Sequence, residues 1–198
     1  MRPFFSARNR RAATLIEVLV SSAIMVMVVA FGFTFLIQGT RYLRLNQRAI
    51  DAQKSGLFLV TQLQQELQST RQTLIAAGPD GVVFPSSFKV DGITERDPMT
   101  QQLLWQNWVC YAYDAAAKTV VRRELPISPA STTPAGPPPV TAFSVATHQK
   151  LMASDISVFQ LSQVTASPPL WQLDVTAGNM TDRSGYGVEL QSKVSPKN

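Results

Sequence analysis

The sequence predicts an α+β protein in which one long N-terminal α-helix, membrane-spanning in its first half, packs by its second half against a C-terminal antiparallel β-sheet domain. Three observations predict it. From Val18 to Ile37, twenty consecutive residues carry no Asp, Glu, Lys or Arg. No proline occurs between Pro3 and Pro79, so nothing forces a helix to break there. After Gly78-Pro79-Asp80-Gly81, a strong turn signal, aromatic and β-branched runs replace the helical pattern.

Residues 1–12 form a basic leader with Arg2, Arg8, Arg10 and Arg11. Residues 13–40 follow as an apolar segment whose charge-free run is roughly 30 Å long as a helix, the thickness of a bilayer's hydrocarbon core. A helix that is apolar on every side belongs in lipid or in the core of a helical assembly. The one charge near its start is Glu17. An ionised group inside a membrane segment costs on the order of 3 kcal/mol at mid-depth and less near an end. A first-turn position suits the positive end of the helix dipole and offsets part of that cost. A cation would offset more. If the leader were cut before Ala13, the new α-amino group would suit the Glu17 carboxylate of an axially shifted neighbouring copy.

Ala13-Thr14-Leu15-Ile16-Glu17-Val18-Leu19-Val20, after a short basic leader, resembles the N-terminal motif of type IV pilins and type II secretion pseudopilins. The resemblance implies cleavage by a prepilin peptidase between Ala12 and Ala13 and N-methylation of Ala13. It also implies an assembly role for Glu17, the fifth residue after the cut, and filament-core contacts by Leu15, Ile16, Val18, Leu19 and Val20. Where the family usually has Gly before the cut and Phe after it, this chain has alanine at both positions. A secretory signal peptide would have a shorter apolar core followed by a small-residue cleavage site. An ordinary signal anchor accounts for the length but gives no reason for Glu17.

The formal charge is +5, of which the four leader arginines supply +4; without residues 1–12 the balance is 14 basic against 13 acidic. The basic pI therefore reports the leader and argues little for nucleic-acid binding. Leader arginines favour a cytoplasmic N-terminus and put the C-terminal domain outside; the resemblance implies that the membrane is the bacterial inner membrane and the domain periplasmic. Arg41, Arg44 and Arg48 weaken that signal, while the family topology points the same way. The single cysteine, Cys110, excludes an intramolecular disulfide and any cysteine-based metal cluster. Flanked by Val109 and Tyr111, it reads as a core residue, with an intermolecular disulfide as the alternative.

Residues 41–77 continue the helix as an amphipathic second half, to about Thr73, with Leu43, Ile50, Leu57, Val60, Leu63, Leu67 and Leu74 as the apolar stripe. Gly32, Gly39 and Gly56 are places where it could bend. Residues 78–198 form the β-rich domain. Val82 to Val90 contains Pro85 and is at best an edge strand. Leu103 to Tyr113 is the strongest strand, with Trp105, Val109, Tyr111 and Tyr113 on one parity. A turn at 114–118 leads into Thr119 to Leu125, completing a hairpin. A loop then spans 126–139, with six prolines in fourteen residues. Strands at Ile156–Val164, Leu170–Thr176 and Gly187–Val194 complete the domain, the last two joined by a polar loop from Ala177 to Tyr186. The segments VCYAYDAAAKTVVRRE, LMASDISVFQL and SKVSPKN are similar to parts of J-type minor pseudopilins and PilW-like minor pilins. That similarity implies a structural minor subunit at a fibre tip, with other pilin or pseudopilin subunits as partners.

The inventory for catalysis is thin. His148 has no carboxylate beside it in sequence, and there is no Gly-rich phosphate loop, HExxH or GxSxG motif. We expect no enzyme activity, no cofactor and no small-molecule substrate. Some pseudopilins bind calcium through loop carboxylates; Asp91, Glu95 and Asp97 lie close together but read as a solvated acidic loop, so no metal is assigned. Arg122 and Arg123 point to opposite faces of a strand, which favours pairing with Glu124 or Asp114 over a DNA-binding patch. The rival functions are a membrane-anchored binding protein or enzyme that shares only the anchor, and a competence minor pilin that takes up DNA.

Overall fold

The computed structural model describes residues 14–87, 96–146, 148–166, 168–179 and 186–196. The chain is α+β and divides into two compact units, 1–45 and 46–198. A single helix, α1 (Leu15–Ser69), contributes to both. It runs through Gly32, Gly39 and Gly56 without interruption and stops four residues short of Thr73.

In the first unit every described side chain from Thr14 to Arg44 is exposed. This part of α1 is long and apolar enough to cross a membrane. Three of its hydroxyls are satisfied inside the helix: Ser22 donates to the Leu19 carbonyl at 2.8 Å, Thr34 to Ala30 at 2.9 Å and Thr40 to Ile37 at 2.9 Å. Such back-bonding leaves few unmet polar groups on an apolar surface.

The second unit contains the rest of α1 and eight strands: β1 (Ala76–Gly78), β2 (Gly81–Ser86), β3 (Trp105–Asp114), β4 (Thr119–Ser131), β5 (His148–Ser154), β6 (Ile156–Ala166), β7 (Pro169–Asn179) and β8 (Tyr186–Val194). They form two antiparallel sheets, β1-β2-β3-β4-β5 and β6-β7-β8, where the sequence suggested one. The break falls at Asp155, whose φ of 61° interrupts the extended chain; Asp tolerates this left-handed conformation better than most residues. Its carbonyl accepts from Gly178 N at 2.6 Å and its carboxylate from the Tyr186 hydroxyl at 2.7 Å, which ties the corner to the second sheet.

One core joins α1 to both sheets. Leu59, Leu63 and Leu67 are fully buried among Val82, Phe84, Val109 and Tyr111 of the first sheet and Ile156, Leu173 and Val175 of the second. The anticipated stripe is correct only at its C-terminal end. Leu43, Ile50 and Leu57 are exposed, and Ala52, Gly56 and Leu59 take the core instead. Leu57 and Leu63 are six residues apart, which is about 120° around a helix of about 3.6 residues per turn. The two ends of the stripe therefore face different ways. Gly56 serves a close approach: a Cβ there would lie 2.8 Å from Leu190 Cδ1 and 3.2 Å from Ala177 Cβ.

Both faces of the first sheet are covered. Trp105, Val109 and Tyr111 are buried, as their parity suggests, with Tyr113 packed against the helix-side core. Trp108 and Cys110, on the other parity, are buried too, with Val83 and Phe143. Phe143 comes from a 3-10 helix, Val140–Val145, just after the proline-rich segment. That segment also starts later than expected, because β4 continues through Pro126 and Pro129 to Ser131. The reason lies in the register. β5 pairs with β4 only from Thr119 to Glu124, so the prolines occupy a stretch whose other edge is open and where a missing N–H costs no ladder bond. Pro85 follows the same rule. β2 is an interior, wholly buried strand and not a marginal edge, yet β1 covers it only from Gly81 to Val83. The Pro85 carbonyl accepts from Thr70 Oγ1 at 2.6 Å.

Gly81 has a φ of 146°, and a Cβ on it would sit 2.2 Å from the Tyr111 carbonyl oxygen. Gly81→Ala is therefore expected to cost the domain at least about 1–3 kcal/mol through backbone strain alone. The midpoint of urea unfolding, followed by tryptophan fluorescence, would measure it.

Candidate functional site

The helix start has a defined geometry. Thr14 stands just before α1, and its backbone N–H donates to Glu17 Oε2 at 2.9 Å, while Glu17 N–H lies 3.4 Å from Thr14 Oγ1. This is a reciprocal capping box, which satisfies two helix-end donors at once. Its signature, Thr14-x-x-Glu17, is local and gives Glu17 a role in its own helix that the expectations above did not include. The box gives Glu17 one partner inside its own chain. Among the described residues its other oxygen, Oε1, accepts nothing. Leu15, Ile16, Val18, Leu19 and Val20 are all exposed. Ala12 and Ala13, the expected cleavage and methylation positions, lie outside the described residues.

The second arrangement is a largely buried ion cluster between α1 and the first sheet. Arg122 on β4 donates from Nε to Glu66 Oε1 of α1 at 3.0 Å, and from Nη1 to Glu124. Gln62 Nε2 donates to the same Glu66 oxygen at 3.1 Å. Burial works against the arginine's charge, but Glu66 and then Glu124 outweigh it and hold the guanidinium protonated above its ordinary range. Glu124 was expected as a partner of Arg122. Glu66 was not, because 56 residues separate it from Arg122 and no local pattern links them. Its place on the buried face, one residue before Leu67, was the available signal. The cluster pins helix to sheet.

Arg123 points away from that cluster, as strand alternation requires, towards the face that holds Cys110. Cys110 is fully buried, which fits the core reading and leaves no accessible sulfur for an intermolecular disulfide. Burial pushes its thiol up to about 11, with Arg123 opposing the shift. Tyr111 is raised as well, by burial and then by Glu66. Groups whose folded pKa exceeds the unfolded value favour the folded state below the unfolded value and lose that contribution as the pH rises. For Cys110 the window runs from about 9 to about 11. The urea midpoint is accordingly expected to fall across that window, and a thiol reagent at neutral pH to label Cys110 only after unfolding.

The remaining candidates do not converge. His148 opens β5 and is exposed. Glu124 is its cross-strand neighbour, but the Glu124 carboxylate is engaged by Arg122. Asp97 caps a turn, accepting from Met99 N at 2.7 Å and Thr100 N at 3.3 Å, and these bonds lower its pKa. Asp91 and Glu95 lie outside the described residues. Among the described residues no group of three His, Cys, Asp or Glu side chains could hold a metal. Comparison with family models, curated proteins and solved structures finds no match.

Proposed function

We propose that this chain is a minor subunit of a type IV pilus or type II secretion pseudopilus, made as a precursor, processed by prepilin peptidase and assembled through its N-terminal helix. The observation that carries the proposal is Glu17: one acid at the start of an exposed apolar helix in which no other charge occurs before Arg41. The capping box absorbs one carboxylate oxygen, and Oε1, which accepts nothing among the described residues, is available to the Ala13 amine of an adjacent subunit. Leu15 to Ile37 supply helix-to-helix contacts. The β-rich unit meets other minor subunits at the fibre tip, and the leader stays on the cytoplasmic side of the inner membrane until cleavage.

The test is coexpression with a prepilin peptidase, followed by mass spectrometry of the N-terminus. Loss of the first twelve residues and a methylated Ala13 are expected; an N-terminus that stays intact would overturn the proposal in favour of a plain membrane anchor. Two substitutions then separate the roles of Glu17. Glu17→Gln is expected to leave insertion intact and abolish incorporation into fibres. Thr14→Val removes the hydroxyl half of the cap but keeps the carboxylate, and is expected to assemble. Equal loss in both would assign Glu17 to helix capping alone.

A further inference from the structure

Arg41 and Arg44 stand on α1 just past the apolar run that ends at Ile37. Both side chains are exposed, and neither has an ion pair or a hydrogen bond among the described residues. Three positions apart on a helix, they are surface neighbours, and like charges so placed repel. Nothing in the surrounding sequence offsets that repulsion. No acidic residue occurs from Val18 to Ile50, and the next charged residue after Arg44 is Arg48, of the same sign. An anion held between the two guanidiniums would turn the repulsion into a bridge.

Depth along the helix indicates which anion. The headgroup layer of a bilayer adds roughly 5–8 Å on each side of the hydrocarbon. With Ile37 at the hydrocarbon edge, a rise of about 1.5 Å per residue puts the Arg41 backbone about 6 Å beyond it and the Arg44 backbone about 10 Å. Helical side chains tilt towards the N-terminus, which brings both guanidiniums back to the level of the lipid phosphates. Tyr42, between them, is 68% exposed; an aromatic ring with a polar tip settles at that same level. The planar fork of a guanidinium matches the oxygens of a phosphate.

We propose that Arg41 and Arg44 bind the phosphate of an anionic phospholipid, with Tyr42 lodged beside it in the interface. The inference rests on the membrane span of the function proposed above and adds which lipid gathers at this end of it. A zwitterionic lipid brings its own ammonium with the phosphate and gains less from two arginines than a headgroup of net negative charge.

The test uses the full-length chain carrying Tyr42→Trp, reconstituted in mixed vesicles of phosphatidylglycerol and phosphatidylcholine in equal amounts, with one lipid at a time brominated in its acyl chains. Quenching of the added fluorescence, taken against the protein with Tyr42 intact, reports the lipid beside this end of the helix and not lipid gathered by the leader arginines at the other. Phosphatidylglycerol is expected to be preferred at least about fivefold, the gain from one arginine at the surface. The preference is expected to fall as salt is raised and to vanish when Arg41→Gln and Arg44→Gln are added. Equal quenching by the two brominated lipids would keep the span but overturn the lipid site, leaving the arginines to the acids of a neighbouring protein. A preference that survives the double arginine substitution would overturn the site as well. Quenching by neither lipid would place this end of α1 outside the bilayer and overturn the span together with the proposal built on it.

Discussion

Replacing Arg122 with alanine is expected to destabilise the β-rich unit by about 3–5 kcal/mol, the cost of leaving one member of a buried ion pair behind. Glu66 has 7% of its side chain exposed and Arg122 has 17%, so little water would reach the stranded carboxylate. Gln62 would remain as a donor to it, with the enclosed Tyr111 hydroxyl nearby. Glu66→Ala should cost less, because Arg122 keeps Glu124. The double substitution Glu66→Leu with Arg122→Met removes both charges and is expected to recover most of the loss, since buried pairs often add little net stability over apolar replacements. Urea unfolding followed through Trp105, Trp108 and Trp171 would read all three variants. An Arg122→Ala protein within about 0.5 kcal/mol of wild type, the scatter expected for surface substitutions, would show that the cluster is solvated and does not pin helix to sheet.

That cluster also shows what a sequence conceals. The membrane-capable half of α1 was legible because its signal is local: length, uniform apolarity and one misplaced acid. β3 was legible because aromatic residues alternate over its whole length. Its second buried face was not, since nothing in Trp108 or Cys110 announces that a 3-10 helix more than thirty residues later will cover them. The proline-rich segment misled in a related way. Proline forbids a ladder bond only where a neighbouring strand exists, and the ends of β1 and β5 are set by pairing rather than by the prolines themselves. At the helix start the signal is local, since Thr14-x-x-Glu17 explains part of what Glu17 does before any second subunit is invoked. Strand alternation separated the two arginines correctly, but that Asp114 Oδ1 is taken by the turn, accepting from Ala116 N and Ala117 N, depends on turn geometry.

A pair of leucine truncations tests which face of α1 is the core. Leu63→Ala is expected to cost about 2–5 kcal/mol, the range for a buried leucine whose site collapses only in part. Leu63 is fully buried between the two sheets, so its loss opens a void that neither sheet can close without disturbing the other. Leu57→Ala is expected to change stability by less than about 0.5 kcal/mol, the usual scale for surface positions, because Leu57 is 44% exposed. The apolar stripe read from the sequence predicts comparable losses, since it holds Leu57 and Leu63 on one ridge. That ridge drifts about 20° per seven residues on a straight helix, whereas the buried row advances by threes and fours from Gly56 to Leu67 and stays on one face. Comparable losses in the two variants would mean that Leu57 is covered in the folded protein by something other than this chain, and that the exposed ridge is an interface in its own right.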